Sequence, residues 1–214
     1  MFVWFDFGGV LSPPLQVLFD TFRDRTGIPR EQLWAAMTAA DAELGLPPLA
    51  SVELAVRTEA EWGARLRHHL ARADPGLDLS RARLEEFGGQ WFDDVEPNHL
   101  MVATLRHLRE NGVPAGILTN NVLEWAPHWK RMVGCADEVD ALVDSCEVGV
   151  RKPQPEIFAI AEKMSMAAGP FVLIDDVAQN CAAALDSGWF AIHFRDNTQV
   201  RRELFQLTGV PGII

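Results

Sequence analysis

Residues 1–14 read MFVWFDFGGVLSPP, and this stretch decides the fold. An apolar run, Met1–Phe5, precedes the carboxylate of Asp6, and two adjacent glycines, Gly8 and Gly9, follow closely. A short apolar run closed by glycines is typical of a strand buried in a parallel sheet. An acid at the end of such a strand lies at the carboxyl edge, where open α/β sheets bind ligands. Asp6 is therefore a candidate functional residue, although Asp after a strand also commonly caps a turn.

Strand-like and helix-like segments alternate through the rest of the chain. The apolar runs predict further strands at Val113–Leu118, in a weaker run that ends near Ser145, at Phe171–Ile174 and at Trp189–Phe194. Helical spacing of apolar residues predicts helices between them, at His99–Gly112, Pro155–Met164 and Ala178–Gly188. Such alternation favours parallel, right-handed βαβ units. We therefore predict an α/β fold with a Rossmann-like parallel sheet.

One long segment interrupts this alternation. Between Pro13 and Glu96 every pattern is helical, and proline- and glycine-containing turns separate about four predicted helices. These helices are expected at Leu15–Gly27, Arg30–Gly45, Ser51–Asp74 and Ser80–Phe92. We predict that residues 13–96 form an α-helical cap over the edge of the sheet, and that residues 1–12 and 97–214 form the core.

Composition and charge exclude several classes of partner. Hydrophobic residues make up 48% of the chain, which is enough for a sizeable core, and the net charge is −11. A chain this acidic is repelled by nucleic acid and by anionic membrane surfaces, so we expect neither as a partner. No apolar stretch of about 18 residues is present, and the first basic residue is Arg23. We therefore expect a soluble, cytoplasmic protein.

Polar residues follow other predicted strands as well. Thr119 and Asn120 follow the second strand, Lys152 lies in a later loop, and Asp175 and Asp176 end another strand. Each of these residues also has an explanation without function, because Thr, Asn and Asp often cap helices and a loop lysine is usually solvated. Their combination at one sheet edge suits phosphoryl transfer. An Asp can attack phosphorus, and Mg²⁺ with basic side chains can screen the anionic charges.

Four segments of the chain resemble the motifs of hydrolases of the haloacid dehalogenase superfamily that carry a helical cap after the first motif. They are FDFGGVL (residues 5–11), LTNN (residues 118–121), RKPQPEIF (residues 151–158) and IDDVAQN (residues 174–180). Any one of these motifs alone is weak, but the four together, in this order, are specific. The resemblance covers nearly the whole chain outside the cap.

The resemblance implies a role for each of the matching residues. Asp6 is expected to be the nucleophile, and Thr119, Asn120 and Lys152 to bind phosphate. The expected Mg²⁺ ligands are Asp6, the backbone carbonyl of Gly8, Asp176 and, through water, Asp175, with Gly9 and Asn180 as supporting residues. The expected cofactor is therefore Mg²⁺, and the expected substrate is a small phosphorylated metabolite.

Gly8 departs from the pattern of the superfamily's phosphatases. They usually carry a second Asp two residues after the nucleophile, as general acid and base, so this chain has DxG in place of DxD. The lost acid–base help is worth about 10²–10⁴-fold in rate. A branch that acts on glucose 1-phosphate resembles this chain in having glycine there, which favours a sugar phosphate. Two alternatives stay open: a metal-independent 2-haloacid dehalogenase, and a non-catalytic relative that binds a phosphorylated ligand or a protein.

Overall fold

A computed structural model of the chain describes residues 1–213 and contains a five-stranded, all-parallel sheet in the order β3-β2-β1-β4-β5. The strands are β1 Phe2–Phe5, β2 Ala115–Thr119, β3 Ala141–Asp144, β4 Phe171–Asp175 and β5 Phe190–His193. From β1 the chain adds β2 and β3 on one side of the sheet, and then β4 and β5 on the other side. The crevice where this direction changes, at the carboxyl ends beside β1, is where such sheets bind ligands. The predicted α/β fold is confirmed.

Eleven α-helices surround the sheet within the described residues. They are α1 Leu15–Thr26, α2 Arg30–Ala42, α3 Ala50–Glu53, α4 Glu59–Ala73, α5 Phe87–Phe92, α6 His99–Glu110, α7 Ala126–Val133, α8 Ser145–Val148, α9 Pro155–Ser165, α10 Ala178–Asp186 and α11 Asn197–Thr208. No helix in residues 1–213 is long and apolar enough to cross a membrane.

β1 lies at the centre of the sheet and is buried on both faces. Phe2 and Trp4 pack on one face with residues of α9 and α10. Val3 and Phe5 pack on the other face with residues of α6 and α11. Because both faces are covered, the strand is apolar at every position.

The helices α1 to α5 lie between β1 and β2, as the sequence predicts, but two predicted helices differ in extent. The segment predicted as one helix over Ser51–Asp74 is broken, because α3 ends at Glu53 and Thr58 caps α4. The Thr58 hydroxyl accepts a hydrogen bond from the Glu61 N–H, and the Glu61 carboxylate accepts one from the Thr58 N–H. In the segment predicted as helix from Ser80, helix begins only with a 3₁₀ turn at Leu84–Glu86.

An aromatic stack joins these inserted helices to the sheet. Phe87 of α5 lies between Phe22 of α1 and Trp125, with ring centroids 4.7 Å and 5.5 Å apart respectively. Trp125 lies in the connection that follows β2, and its indole N–H donates to Glu59 of α4 at 2.6 Å. The inserted helices therefore share one hydrophobic cluster with the sheet face that carries Val3 and Phe5.

The two connections of the inserted segment meet beside the end of β1. The backbone N–H of Asn98 donates to the Leu11 carbonyl at 2.8 Å, and its side-chain amide donates to the Val10 carbonyl at 2.9 Å. The chain therefore leaves the sheet and returns to it at the same place. The division into a core (1–12 and 97–214) and a cap (13–96) stays a prediction.

Candidate active site

Three carboxylates meet at the carboxyl edge of the sheet. Asp6 directly follows β1, Asp175 ends the adjacent strand β4, and Asp176 comes next. One carboxylate oxygen from each residue lies within 4.8 Å of the others. The Asp6 N–H donates to the Ile174 carbonyl at 2.8 Å, which continues the pairing of the two strands and fixes this alignment. The structure thus brings the three predicted acids together.

Lys152 lies among these acids and is almost completely buried, with 1% of the residue exposed. Its ammonium group is 2.9 Å from Asp6 Oδ1 and 2.6 Å from Asp175 Oδ2, and it also donates to the Leu118 carbonyl at 2.8 Å. Burial lowers the pKa of Lys152, but the attraction of Asp175 and Asp6 outweighs it and keeps that pKa above its ordinary value. Lys152 is therefore a buried cation of the site and not a solvated loop charge.

Asp175 and Asp176 have different surroundings. The Asp175 carboxylate accepts hydrogen bonds from Lys152, from the Asn180 side-chain amide at 3.0 and 3.1 Å, and from the Val177 N–H at 2.9 Å. No other residue in the described chain, 1–213, donates a hydrogen bond to the Asp176 carboxylate. Burial, followed by the charge of Asp175, raises the pKa of Asp176 to about 6. Asp175 is thus held by protein donors, while Asp176 has oxygen atoms free for a ligand.

Asp6 is also buried. Its Oδ1 accepts a hydrogen bond from the Phe7 N–H at 2.8 Å as well as contacting Lys152. Burial raises the pKa of Asp6 well above its ordinary value, and the nearby acids Asp175 and Asp176 add to this effect, while Lys152 opposes it. A bound cation would favour the ionised form of all three acids.

The two glycines after Asp6 have different structural requirements. Gly9 has a φ of +68°, which L side chains rarely adopt, and a Cβ atom there would overlap the Asp176 carboxylate unless that side chain moved. Gly8 has ordinary backbone angles (φ −63°, ψ 125°). A Cβ atom at Gly8 would have a single neighbour within 4 Å, Asp6 Oδ2 at 3.8 Å. The backbone therefore does not require glycine at position 8.

Thr119 and Asn120 lie beside Lys152, at the end of β2. The Asn120 side chain accepts from the Lys152 N–H at 2.8 Å and donates to the Lys152 carbonyl at 2.9 Å, which fixes the lysine's backbone. The Thr119 hydroxyl is buried and has no hydrogen-bond partner among the described residues. Buried polar groups are nearly always paired, so this hydroxyl is free to donate, although Thr119 does not line the cavity at this edge of the sheet.

The structure adds an ion pair that sequence reasoning missed. Glu53 of α3 lies 2.7 Å from the guanidinium of Arg151, next to Lys152 in sequence. The Ser145 hydroxyl donates to the Glu53 backbone carbonyl at 2.7 Å. Burial raises the pKa of Glu53 to about 7, although Arg151 opposes the shift. A glutamate in a helical pattern looks solvated in sequence, so the pattern offers no signal for this contact.

A cavity of about 400 Å³ lies between the sheet edge and the inserted helices. Its floor contains Asp6, Gly8, Asn120, Lys152 and Asp176. The facing wall comes from α1, α3, α5 and the loop before α3, with Leu15, Leu18, Leu49, Glu53, Trp91 and Phe92. The inserted helices thus face the predicted site.

Comparison with known proteins identifies the family. A model of the haloacid dehalogenase-like hydrolases matches residues 2–188. The chain belongs to this family. The family assignment confirms the resemblance found in the four motifs.

Individual relatives are distant. The chain is 25% identical over 215 residues to bifunctional epoxide hydrolase 2 of Sus scrofa, covering 96% of this chain and 38% of that protein. It spans less than two fifths of the length of the epoxide hydrolases that it matches. It is 25% identical over 139 residues to a phosphoglycolate phosphatase of Yersinia pseudotuberculosis, covering 64% of this chain and 57% of that one. The L-2-haloacid dehalogenase of Xanthobacter autotrophicus shares its fold, with a TM-score of 0.63, 18% identity, and coverage of 99% and 85%.

Proposed function

We propose that this hydrolase is a Mg²⁺-dependent phosphatase of a small phosphorylated metabolite, and that it works through an aspartyl-phosphate on Asp6. The balance of charge at the site carries the proposal. Three clustered carboxylates face one ammonium group, Lys152, so this lysine can compensate only one of the acids in their ionised forms. A phosphate ester would add more negative charge. A divalent cation provides the missing compensation, whereas a metal-independent dehalogenase would leave the acids to repel one another.

The residues present fit Mg²⁺. It prefers oxygen ligands, and Asp6 and Asp176 offer carboxylate oxygens while Gly8 offers a backbone carbonyl at the same edge. Asp175, already held by Lys152 and Asn180, supports the site or acts through water. When bound, Mg²⁺ would neutralise the anionic charge that otherwise repels the nucleophile from phosphate.

In the proposed reaction Asp6 forms a bond to phosphorus while the ester P–O bond breaks, and the leaving alkoxide takes a proton from water to become the alcohol. Water then hydrolyses the aspartyl-phosphate and releases inorganic phosphate. Lys152 would neutralise phosphate oxygens, and the unpaired Thr119 hydroxyl would donate to one of them. Asn120 holds Lys152 in place through two backbone hydrogen bonds and would add its own N–H to the phosphate cradle.

Two relatives have names that support a phosphatase. One is the phosphoglycolate phosphatase, and the other is the sesquiterpene phosphatase astK of Aspergillus oryzae, 28% identical over 116 residues. The similarity to a dehalogenase structure lies below 25% identity and indicates the fold alone. A cytoplasmic location and a freely diffusing substrate belong to the same proposal.

The test measures phosphate release from p-nitrophenyl phosphate with and without Mg²⁺. We expect turnover that requires Mg²⁺, is reduced to background in Asp6→Asn, and is lost in Asp176→Ala together with Mg²⁺ binding by calorimetry. Asp186→Asn, at an exposed acid outside the site, is the matched control and should retain full activity.

Other outcomes would replace the proposal. Undiminished hydrolysis of p-nitrophenyl phosphate after exhaustive chelation would contradict the role of Mg²⁺. Chloride release from 2-chloropropionate under the same conditions would indicate a dehalogenase. Mg²⁺ binding without turnover of any phosphate ester would indicate a non-catalytic binder.

A further inference from the structure

Resting on the proposed phosphatase function, we propose that the alcohol part of the substrate is apolar. The enzyme would then act on alkyl or other hydrocarbon phosphates, and not on the sugar phosphates that Gly8 favours by resemblance. The observation behind this proposal is the contrast between the two sides of the cavity. The floor carries the charged groups that suit phosphate, while the wall contributed by the inserted helices is almost entirely hydrocarbon.

The apolar residues of the wall range from nearly buried to exposed. Leu18 and Trp91 are nearly buried, with 4% of each residue exposed, and form the inner part of the wall. Leu15 of α1 and Val177 on the floor side are 43% and 42% exposed and lie at the rim. Leu49 completes the wall at the loop before α3. An apolar alcohol would bury these surfaces, and each buried methylene contributes about 0.8 kcal/mol.

Several polar side chains that line the cavity are engaged with the protein, whereas the Gln179 side chain makes no hydrogen bond within residues 1–213. The Ser12 hydroxyl accepts from the Gly9 N–H at 3.0 Å and donates to the Pro13 carbonyl at 2.9 Å. The Asn120 amide is used by Lys152, and the Trp125 N–H by Glu59. A sugar would have to bury several hydroxyl groups with few partners. Burial of a hydroxyl without a hydrogen bond is costly, so such a substrate is disfavoured.

The charges on the wall side also argue against a second anionic group on the substrate. Arg151 is the cation that such a group would need, but it already contacts Glu53 at 2.7 Å. The ion pair is well shielded, since the side chains are only 20% and 10% exposed. An incoming carboxylate would have to displace Glu53 and leave it buried without a partner.

The size of the cavity limits the alcohol. About 400 Å³ is at the small end of the range for small-molecule pockets, about 300–1,000 Å³, and it must also hold the phosphate. We therefore expect a short hydrocarbon inside the cavity, with longer chains extending past Leu15 and Val177 into solvent.

The test is a series of n-alkyl phosphates from ethyl to octyl, compared with glucose 6-phosphate, all assayed with Mg²⁺ on the full chain. These are all esters of primary alcohols, so the basicity of the leaving group varies little and chain length is the main variable. We expect kcat/KM to rise about fourfold per methylene that enters the cavity, then to level off, because that is the factor for removing one methylene from water. Glucose 6-phosphate should be a poor substrate.

A pair of leucine variants tests the cavity wall. Leu49 has a φ of +70°, which asparagine tolerates better than most residues, so Leu49→Asn adds a polar group without added backbone strain. It should reduce kcat/KM for hexyl phosphate at least about fivefold and that for ethyl phosphate by less, so that the ratio of the two falls. Leu44→Asn, at an exposed leucine that does not line the cavity, is the matched control and should leave both unchanged.

Calorimetry with n-alkyl phosphonates, which cannot be hydrolysed, separates this proposal from the proposed function. Affinity that rises with chain length supports an apolar site even if no ester turns over, in which case only the phosphatase proposal fails. Equal kcat/KM and equal affinity along the series, or a preference for glucose 6-phosphate, would overturn the apolar site while leaving the phosphatase intact.

Discussion

At the scale of single residues, Gly9 and its contact with Asp176 determine where the acidic loop can lie. The glycine has no side chain, so the Asp176 carboxylate occupies the space that a Cβ atom would need. This contact places a free carboxylate close to the backbone that carries Asp6 and Gly8. The metal site proposed here therefore depends on a residue that has no functional group of its own.

Gly9→Ala and Gly8→Ala form a matched pair that tests this dependence. Gly9→Ala should lower the free energy of unfolding by at least about 1 kcal/mol, because of its positive φ, and should abolish Mg²⁺ binding by displacing Asp176. Gly8→Ala fits the backbone and should retain both stability and Mg²⁺ affinity. Chemical denaturation and calorimetric titration measure the two effects. Equal Mg²⁺ affinity in both variants would contradict the role of the Gly9–Asp176 contact.

Gly8→Asp tests the consequence of the missing acid. With glycine at position 8, hydrolysis should depend strongly on the leaving group, so p-nitrophenyl phosphate should turn over much faster than an alkyl phosphate. The aspartate should narrow this difference by up to about 10²–10⁴-fold, because a positioned acid protonates the departing alcohol. A native enzyme that hydrolyses both esters at equal, chemistry-limited rates would mean that another residue donates the proton.

At the scale of elements, the single-turn helix α3 depends on the buried Asp41. This carboxylate accepts hydrogen bonds from the backbone N–H groups of Leu49 and Ser51, both at 2.9 Å, and from the Trp62 indole at 3.2 Å. A four-residue helix is too short to be stable alone, so these bonds hold it in place. They thereby place Leu49 and Glu53 at the cavity.

Glu53→Gln tests the contact of α3 with the Arg151 loop through its pH dependence. Glu53 faces Arg151 and Lys152, with Asp41 and Asp144 nearby, and its pKa is raised to about 7 by burial. Because the Glu53 carboxyl has a higher pKa in the folded chain than in the unfolded chain, protonation of Glu53 stabilises the fold. This contribution to the free energy of unfolding is complete below the unfolded pKa near 4.5 and is lost as the pH rises through the folded pKa of about 7. Relative to the variant, the native chain should therefore lose up to about 3 kcal/mol of unfolding free energy over this range.

Denaturation by urea between pH 4.5 and pH 8 measures this difference. Glu147→Gln, at an exposed glutamate, is the control and should follow the native curve. A Glu53→Gln curve parallel to the native one throughout would show that Glu53 ionises as it would in the unfolded chain.

At the scale of the whole molecule, the sequence was sufficient for the sheet and for most of the site floor. Apolar runs bounded by polar residues are local signals, and they located β1 and β4 and hence Asp6 and Asp175. The parallel arrangement then implied that strand ends meet at one edge, which is why the cluster with Asp176 could be predicted. The break before α4 also had a local signal, the capping box of Thr58 and Glu61.

The contacts between distant segments could not be predicted in this way. The Glu53–Arg151 ion pair and the stacking of Phe87 on Trp125 depend on how the inserted helices dock on the sheet. Hydrophobic periodicity identifies the buried face of a helix but not its partner. The same ambiguity applies to Leu18 and Leu49, which in sequence look like ordinary core residues although they line the cavity.

The ordinary backbone angles at Gly8 have an evolutionary consequence. Two of the four glycine codons become aspartate codons by a change of the second base alone, and the fold offers no steric barrier to the Cβ atom that the new residue brings. An acid at this position is therefore a single mutational step away, without any need for a compensating change in the backbone. Descendants of this chain could move between slow and fast phosphoryl chemistry through one nucleotide, while the cavity wall that selects the alcohol stays the same.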